Sequence, residues 1–177
     1  MSAAPTTPYT LGTGVAVAVA GKEAFDAFVR ARLPELLRFG RALTGNEHAA
    51  ADLVQDALER TLMHWHRVEN RDDPEGYVRR VMVNRNISTW RKLRRERLSD
   101  EIPDDGHDPM PDDPDRATWR AVQQLPPRMR AVVALRYYED LTEAQVAQVL
   151  GCSVGTVKSQ TSKAMSKLRT AMTEVTS

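Results

Sequence analysis

The chain has 177 residues, of which 41% are hydrophobic and 28% are charged, and its formal net charge is +1. These proportions exclude a disordered chain and predict a globular protein with one domain or two small ones. The single cysteine, Cys152, excludes an internal disulfide, and the sequence has no run of about 18 apolar residues that would span a membrane. We therefore expect a cytoplasmic protein without membrane insertion.

The first 22 residues, "MSAAPTTPYTLGTGVAVAVAGK", contain a small apolar patch with no basic segment before it. A secretory signal has such a basic segment. We therefore predict that residues 1–22 form a flexible leader.

Residues 23–97 predict a domain of three amphipathic helices. The first helix ends at Gly45, where a left-handed cap residue belongs. The second, "HAAADLVQDALERTLMHWHRV", and the third, "YVRRVMVNRNISTWRKLRRER", follow a helical period. The apolar stripe predicted for the second helix consists of Leu53, Val54, Ala57, Leu58, Leu62 and Trp65. Outside the leader no β-branched run alternates with period two, so the sequence predicts an all-α protein.

Two surfaces of this domain allow a functional interpretation beside an ordinary one. Asp52, Asp56 and Glu59 recur at i, i+4 and i+7, with Gln55 between them, so they share one face of the second helix. This acidic face is typical either of a protein-docking site or of an ordinary solvated helix surface. On the third helix, Val83, Ile87 and Trp90 form a stripe bordered by arginines. That stripe fits either nucleic-acid contact, through stacking and phosphate pairing, or a second contact with the core.

Residues 98–115, "LSDEIPDDGHDPMPDDPD", separate two basic blocks. The segment carries 8 acidic and no basic residues, whereas residues 25–97 carry 15 Lys/Arg against 11 Asp/Glu and residues 116–177 carry 9 against 4. Because proline breaks helices and like charges repel, we predict an extended acidic linker. Only the flanking basic blocks suit a polyanionic partner.

Residues 116–177 predict a second helical domain that ends in a helix-turn-helix. Thr142 and Gln145 form a capping box, Gly151 ends that helix, and Ser153 caps the next one. The buried face predicted for the last helix consists of Val154, Val157, Thr161, Ala164 and Leu168. Its other face carries small hydroxyl and basic side chains, which indicate a DNA-binding helix because they allow close approach and neutralise phosphates.

The candidate DNA contacts on this helix fall into two groups. The side chains predicted to read bases are Thr156, Ser159, Gln160 and Lys163. Lys158 and Arg169 are predicted phosphate contacts, and Cys152 in the turn is interpreted as a packing residue.

The whole sequence resembles the extracytoplasmic-function (ECF) group of bacterial RNA polymerase sigma factors. Within that group, its motifs are most similar to an actinobacterial-type subgroup. The resemblance lies in "LTGNEHAAADLVQDALERTLMHW", which is similar to region 2 of that group, and in "LPPRMRAVVALRYYEDLTEAQVAQVLGCSVGTVKSQTSKAMSKLR", which is similar to region 4. It implies two helical domains, region 2 at residues 23–97 and region 4 at residues 116–177. It also implies a factor that binds core RNA polymerase, recognises the −10 and −35 promoter elements and assists strand opening. Ser88 departs from the group, many members of which have Asp there.

The resemblance assigns roles to particular residues. Docking on the β′ coiled coil of the polymerase falls on Asp52, Leu53, Gln55 and Asp56. Contact with the −10 element falls on Asn70, Arg71, Asn84, Arg85, Trp90 and Arg91. The resemblance assigns contact with the −35 element to the last helix, at Thr156, Lys158, Ser159, Gln160, Lys163 and Arg169. The implied partners are core RNA polymerase, through its β′ coiled coil and β subunit, and promoter DNA. An anti-sigma factor is a further partner that the resemblance allows.

Two other functions remain as alternatives. A helix-turn-helix regulator would bind its operator tightly without being a polymerase subunit. An enzyme has little support, because the sequence has no P-loop or nucleophile pattern and offers only Asp104, Asp105, His107 and Asp108 as metal ligands, without the spacing of a calcium loop. We expect no catalytic residue, no cofactor and no metal.

Overall fold

The computed structural model describes residues 13–69, 73–97 and 116–176. Every regular element within these ranges is helical, which agrees with the predicted all-α class. The N-terminal half contains α1 (Thr13–Thr44), α2 (Glu47–Met63), α3 (Trp65–Val68) and α4 (Pro74–Arg97). The C-terminal half contains α5 (Arg116–Gln123), α6 (Pro127–Val133) with a π-helical continuation (Ala134–Tyr138), α7 (Glu143–Leu150) and α8 (Val154–Thr176). None of these helices is long and apolar enough to cross a membrane.

Helix α1 begins at Thr13, ahead of the domain boundary predicted at residue 23. Part of the predicted flexible leader is therefore helical, because the alanines of "VAVAVAGKEA" favour a helix more strongly than Gly21 opposes it. Residues 1–12 lie outside the described residues. The end of α1 is as predicted, since Gly45 has a φ of +76° and its N–H donates to the Arg41 carbonyl at 2.7 Å.

The predicted second helix is interrupted at His64, which divides it into α2 and α3. The buried stripe of α2 runs through Ala50, Leu53, Val54, Ala57 and Thr61, whose hydroxyl donates to the Ala57 carbonyl at 2.7 Å. The prediction that Leu62 faces inward was wrong. Leu62 is 47% exposed because it lies about 100° around the helix from Thr61, which takes the inward position.

The turn at His64 brings Trp65 into a cluster of aromatic side chains against α1. Trp65 is buried between Phe25 and Phe28, with ring centroids 5.2 Å from each. The arrangement with Phe25 is edge to face, a favourable geometry for aromatic pairs. This cluster fixes α2 and α3 against α1.

The packing of α4 distinguishes the two interpretations of its stripe of Val83, Ile87 and Trp90, which were core contact and nucleic-acid contact. Val83 is fully buried and Ile87 packs against the main core, so both are core contacts. Trp90 differs from them because it is 38% exposed and borders solvent. Of the three, only Trp90 is available to a ligand.

The helix-turn-helix forms with the predicted caps. Thr142 and Gln145 make a reciprocal capping box, and Gly151 has a φ of +62° at the end of α7. Ser153 accepts a hydrogen bond from the Thr156 N–H at 3.1 Å at the start of α8. On the predicted buried face of α8, Val157 is fully buried, whereas Val154, the first residue of the helix, is 39% exposed.

The two halves of the chain pack against each other through a shared apolar core. Leu43 of α1, Met82 of α4, Trp119 of α5 and Leu135 of the π-helical segment belong to one buried cluster. A second cluster, around Val122 and Leu168, lies wholly within the C-terminal half. The predicted linker at residues 98–115 lies outside the described residues, and α4 and α5 end and begin at its edges.

Polar side chains also join the two halves. Arg130 donates to the Leu43 carbonyl at 2.8 Å, and the Gln123 amide donates to the Ala42 carbonyl at 3.2 Å. Both acceptors lie in the last turn of α1, whose carbonyls have no partner within the helix. The C-terminal half therefore supplies hydrogen-bond donors to the end of α1.

Candidate functional site

An acidic face lies on α2, directly after the N-cap at Asn46. The Asn46 side chain accepts from the Ala49 N–H at 2.9 Å and so fixes where the helix begins. Asp52, Gln55 and Glu59 are exposed, and the Gln55 amide donates to the Glu59 carboxylate at 3.0 Å. This face presents carboxylates to solvent in an arrangement that suits a basic partner.

Asp56 differs from the other carboxylates of this face because two arginines pair with it. Arg85 of α4 donates through Nε at 2.6 Å and through Nη2 at 3.1 Å, and Arg60 donates through Nε at 3.0 Å. Partial burial by itself raises the pKa of the Asp56 carboxyl. The hydrogen bonds and positive charges of Arg85 and Arg60 outweigh this, so that pKa lies below its ordinary value. Asp56 is therefore a carboxylate at neutral pH.

Leu53, the fourth residue that the resemblance assigns to docking, lies on the opposite side of the helix from solvent. It is only 9% exposed and belongs to the main core. Its side chain holds α2 in position and presents little surface to a partner.

The residues assigned to the −10 element that the structure describes lie along α4. Asn84, Trp90 and Arg91 are exposed, and Arg85 is partly exposed but paired with Asp56. The Arg94 guanidinium lies over the Trp90 ring at 5.2 Å from its centroid, a cation–π contact that restrains the ring. Asn70 and Arg71 lie outside the described residues.

A cleft of about 670 Å³ lies between α2, α4 and the start of the C-terminal half. Asp52 and Asp56 line one wall, and Arg85 and Trp90 line another. The floor includes Gln123, Arg130 and the turn at residues 44–46. The acidic face and the aromatic-basic end of α4 thus border the same opening.

Helix α8 presents a continuous polar face to solvent. Thr156, Lys158, Ser159, Lys163 and Arg169 are exposed, whereas Gln160 is half-buried. Lys158 lies 3.8 Å from the Glu143 carboxylate, a loose contact between exposed groups that leaves the ammonium accessible. Cys152 packs against the core, in line with its interpretation as a packing residue.

The polar residues that join the two halves were missed by sequence reasoning. Arg79 pairs with Glu75 at 2.7 Å and with Glu139 at 2.5 Å, and all three side chains are largely buried. Arg130, which is partly buried, donates to carbonyls of both halves. Such pairs are separated by up to 87 residues in the chain, so no periodic pattern could have identified them.

Two families match the chain. Residues 28–96 match Sigma-70 region 2, and residues 115–168 match Sigma-70, region 4. The first match covers the second half of α1 together with α2, α3 and nearly all of α4, and the second match covers the helix-turn-helix. Among the described residues, no group of three or more His, Cys, Asp or Glu is placed to hold a metal ion.

Curated relatives share this organisation. The RNA polymerase sigma-E factor of Streptomyces coelicolor is 36% identical over 151 residues, which cover 82% of this chain and 84% of the relative. The ECF RNA polymerase sigma factor SigL of Mycobacterium tuberculosis is 31% identical over 148 residues, with 79% and 84% covered. Among solved structures, the sigma factor RpoE of Bartonella quintana, in complex with the anti-sigma factor NepR, has the same fold. The TM-score is 0.71 at 23% identity, over 84% of this chain and 96% of that one.

Proposed function

Because the chain belongs to the ECF group of RNA polymerase sigma factors, we propose that its exposed surfaces divide the tasks of such a factor. A sigma factor binds core RNA polymerase and directs initiation at promoters, while the polymerase makes the RNA. We assign the acidic face of α2 to polymerase docking, α4 to the −10 element and α8 to the −35 element. The observation that carries the proposal is that each matched region presents an exposed surface whose chemistry suits its ligand.

Docking falls on Asp52, Gln55 and Asp56, with Leu53 holding the helix that carries them. The exposed carboxylate of Asp52 is available to a basic surface, such as an arginine on the polymerase β′ coiled coil. Asp56 adds a second carboxylate one helical turn away. Two acidic groups at this spacing favour a basic partner over nucleic acid.

We assign contact with the −10 element to Asn84, Arg85, Trp90 and Arg91, together with Asn70 and Arg71, which precede α4 in the chain. An aromatic ring beside arginines stacks on an unpaired base while the guanidinium groups neutralise the backbone. Arg94 over the Trp90 ring keeps that ring in one orientation. The surface therefore suits a strand that has already separated from its complement.

Contact with the −35 element falls on the exposed face of α8. We assign Thr156, Ser159, Gln160 and Lys163 to base edges, and Lys158 and Arg169 to phosphates. The fixed turn before α8, with its Gly151 and Ser153 caps, sets the angle at which the helix enters a groove. Duplex recognition is therefore assigned to the C-terminal half.

Two further assignments follow from the family. The Bartonella neighbour was solved with an anti-sigma factor, which supports an anti-sigma partner for this chain as well. A factor that works on core polymerase acts where transcription takes place, which in bacteria is the cytoplasm.

The docking assignment is tested by the binding of core polymerase to the full-length chain. Asp52→Arg reverses one exposed charge on the acidic face without removing a helix-forming residue. The matched control is Glu23→Arg, the same kind of change at an exposed position of α1. We expect Asp52→Arg to weaken core binding at least tenfold, as a lost charge pair at an interface does, and Glu23→Arg to leave it unchanged. Equal affinities of the two variants would contradict the docking assignment.

A further inference from the structure

Two residues assigned to different ligands are each other's closest polar partners. The Arg85 guanidinium, assigned to promoter DNA, donates two hydrogen bonds to the Asp56 carboxylate, assigned to polymerase docking. The contact joins α4 to α2 across 29 residues of chain. The two bonds, at 2.6 Å and 3.1 Å, reach both carboxylate oxygens, which is the bidentate geometry that makes Arg–carboxylate pairs directional.

While this pair is formed, Arg85 is a poor ligand for a phosphate. Its Nε and Nη2 donors are engaged, and its positive charge lies 2.6 Å from a carboxylate oxygen. The Arg85 side chain nevertheless remains 40% exposed, so it can reach solvent and a ligand once the carboxylate is taken away. Asp56 is likewise occupied, because both of its oxygens accept hydrogen bonds from Arg85.

Residues assigned to both ligands lie next to the pair. Asp56 and Arg85 line the cleft of about 670 Å³, together with the exposed docking residue Asp52 and the exposed ring of Trp90. A basic group that docks beside Asp52 therefore arrives next to Asp56. A nucleic-acid strand that stacks on Trp90 arrives next to Arg85.

From this geometry we propose that the Asp56–Arg85 pair couples polymerase docking to promoter contact. In the free protein, Asp56 holds Arg85 away from nucleic acid. When a basic group of the polymerase pairs with Asp56, Arg85 is released and contributes its charge to binding the promoter strand. The inference rests on the proposed function, because it uses the two ligand assignments.

The test measures how the free, full-length protein binds a fluorescein-labelled single-stranded DNA of about 20 nucleotides with random sequence. The variant is Asp56→Asn, which removes the charge that holds Arg85 while keeping the size of the side chain. The control is Glu59→Gln, which removes an exposed charge from the same face of α2. We expect Asp56→Asn to bind at least about threefold more tightly than Glu59→Gln. We also expect the plot of log affinity against log salt to steepen by about 0.7, the value for one more phosphate contact on a single strand.

Double variants identify the residue that is released, because Arg60 also pairs with Asp56. The gain should disappear in Asp56→Asn/Arg85→Ala and persist in Asp56→Asn/Arg60→Ala. Arg85→Ala alone should leave the DNA affinity of the free protein unchanged but weaken binding of the polymerase complex to promoter DNA. If Asp56→Asn loses its helical circular dichroism, Asp56→Ala gives the same test with the strongest helix former.

Three outcomes would overturn the coupling. The first is that Asp56→Asn binds DNA no better than Glu59→Gln, and the second is that its gain survives the loss of Arg85. The third is that Arg85→Ala weakens core binding, in which case Arg85 only positions Asp56 for docking. None of these results depends on Asp52→Arg, so a failure of the coupling is distinguishable from a failure of the docking assignment.

Discussion

Replacing Arg130 by Met removes a partly buried cation that joins the two halves of the molecule. The guanidinium donates to the Leu43 carbonyl at 2.8 Å, to the Gln123 carbonyl at 2.6 Å and to the Leu125 carbonyl at 3.1 Å. Methionine fills a similar length with a flexible apolar chain, so the substitution removes donors more than volume. The three carbonyls then lose a charged partner in a largely buried place.

The expected magnitude follows from two opposing contributions. A hydrogen bond to a charged group contributes about 1.5–3 kcal/mol, so three bonds would sum to at least about 4.5 kcal/mol. The cost of burying the guanidinium offsets part of this stabilisation, because burial disfavours the charged form and lowers the pKa of Arg130 to about 10. We expect the free energy of unfolding to fall by about 3 kcal/mol, which corresponds to a Tm lower by roughly 6–12 °C for a protein of this size.

Urea unfolding followed by circular dichroism, with calorimetry for the Tm, measures this loss. The matched control is Arg128→Met, the same substitution at an exposed position of α6, which should change stability by no more than about 0.5 kcal/mol. If Arg130→Met were as stable as Arg128→Met, the guanidinium would contribute nothing net to the association of the two halves.

Three further predictions concern the turn, the acidic face and the DNA-binding helix. Gly45→Ala should destabilise the protein by about 2 kcal/mol, since its Cβ would lie 2.6 Å from the Gln123 Oε1 at a φ of +76°. A Cβ at Gly151 would meet open space, so Gly151→Ala should lower the free energy of unfolding by only about 1 kcal/mol. If Gly45→Ala and Gly151→Ala had equal stability in urea unfolding, the close approach of Gly45 to Gln123 would have no energetic effect. Because the pKa of Asp56 is lowered in the folded state, its ion pairs stabilise the protein at neutral pH and are lost on acidification. The difference in unfolding free energy between the natural protein and Asp56→Asn should therefore shrink below about pH 4, and a constant difference from about pH 7 to about pH 3 would refute this. In filter binding of the polymerase complex to promoter DNA, Lys158→Ala should reduce the salt slope by about 0.9 without changing the preferred upstream sequence, and an altered preference would assign Lys158 to bases instead.

Local features of the fold could be predicted from the sequence because their causes are local. The capping box at Thr142 and Gln145, the left-handed Gly151 and the Ser153 cap each depend on residues at most three positions apart. The exposed face of α8 follows from the helical period in the same way. The exposed faces of α2 and α8 could therefore be predicted from the spacing of their residues.

Features that depend on distant residues could not be predicted. Trp65 is buried as predicted, but nothing near Leu62 indicates the break at His64 that precedes it. Periodicity alone left Val83 with two interpretations, and its burial in a cluster that draws residues from both halves makes it a core residue. The Asp56–Arg85 pair is of the same kind, because it depends on the register of α4 against α2.

Run-off transcription with core RNA polymerase and a genomic promoter library tests the central claim most directly. With the full-length protein we expect transcripts from a defined subset of promoters, and with Asp52→Arg we expect those transcripts to be lost while Glu23→Arg retains them. Tight binding of the protein alone to promoter DNA at physiological salt, with no promoter-specific transcripts when core polymerase is added, would contradict the account and favour a regulator that acts without being a polymerase subunit.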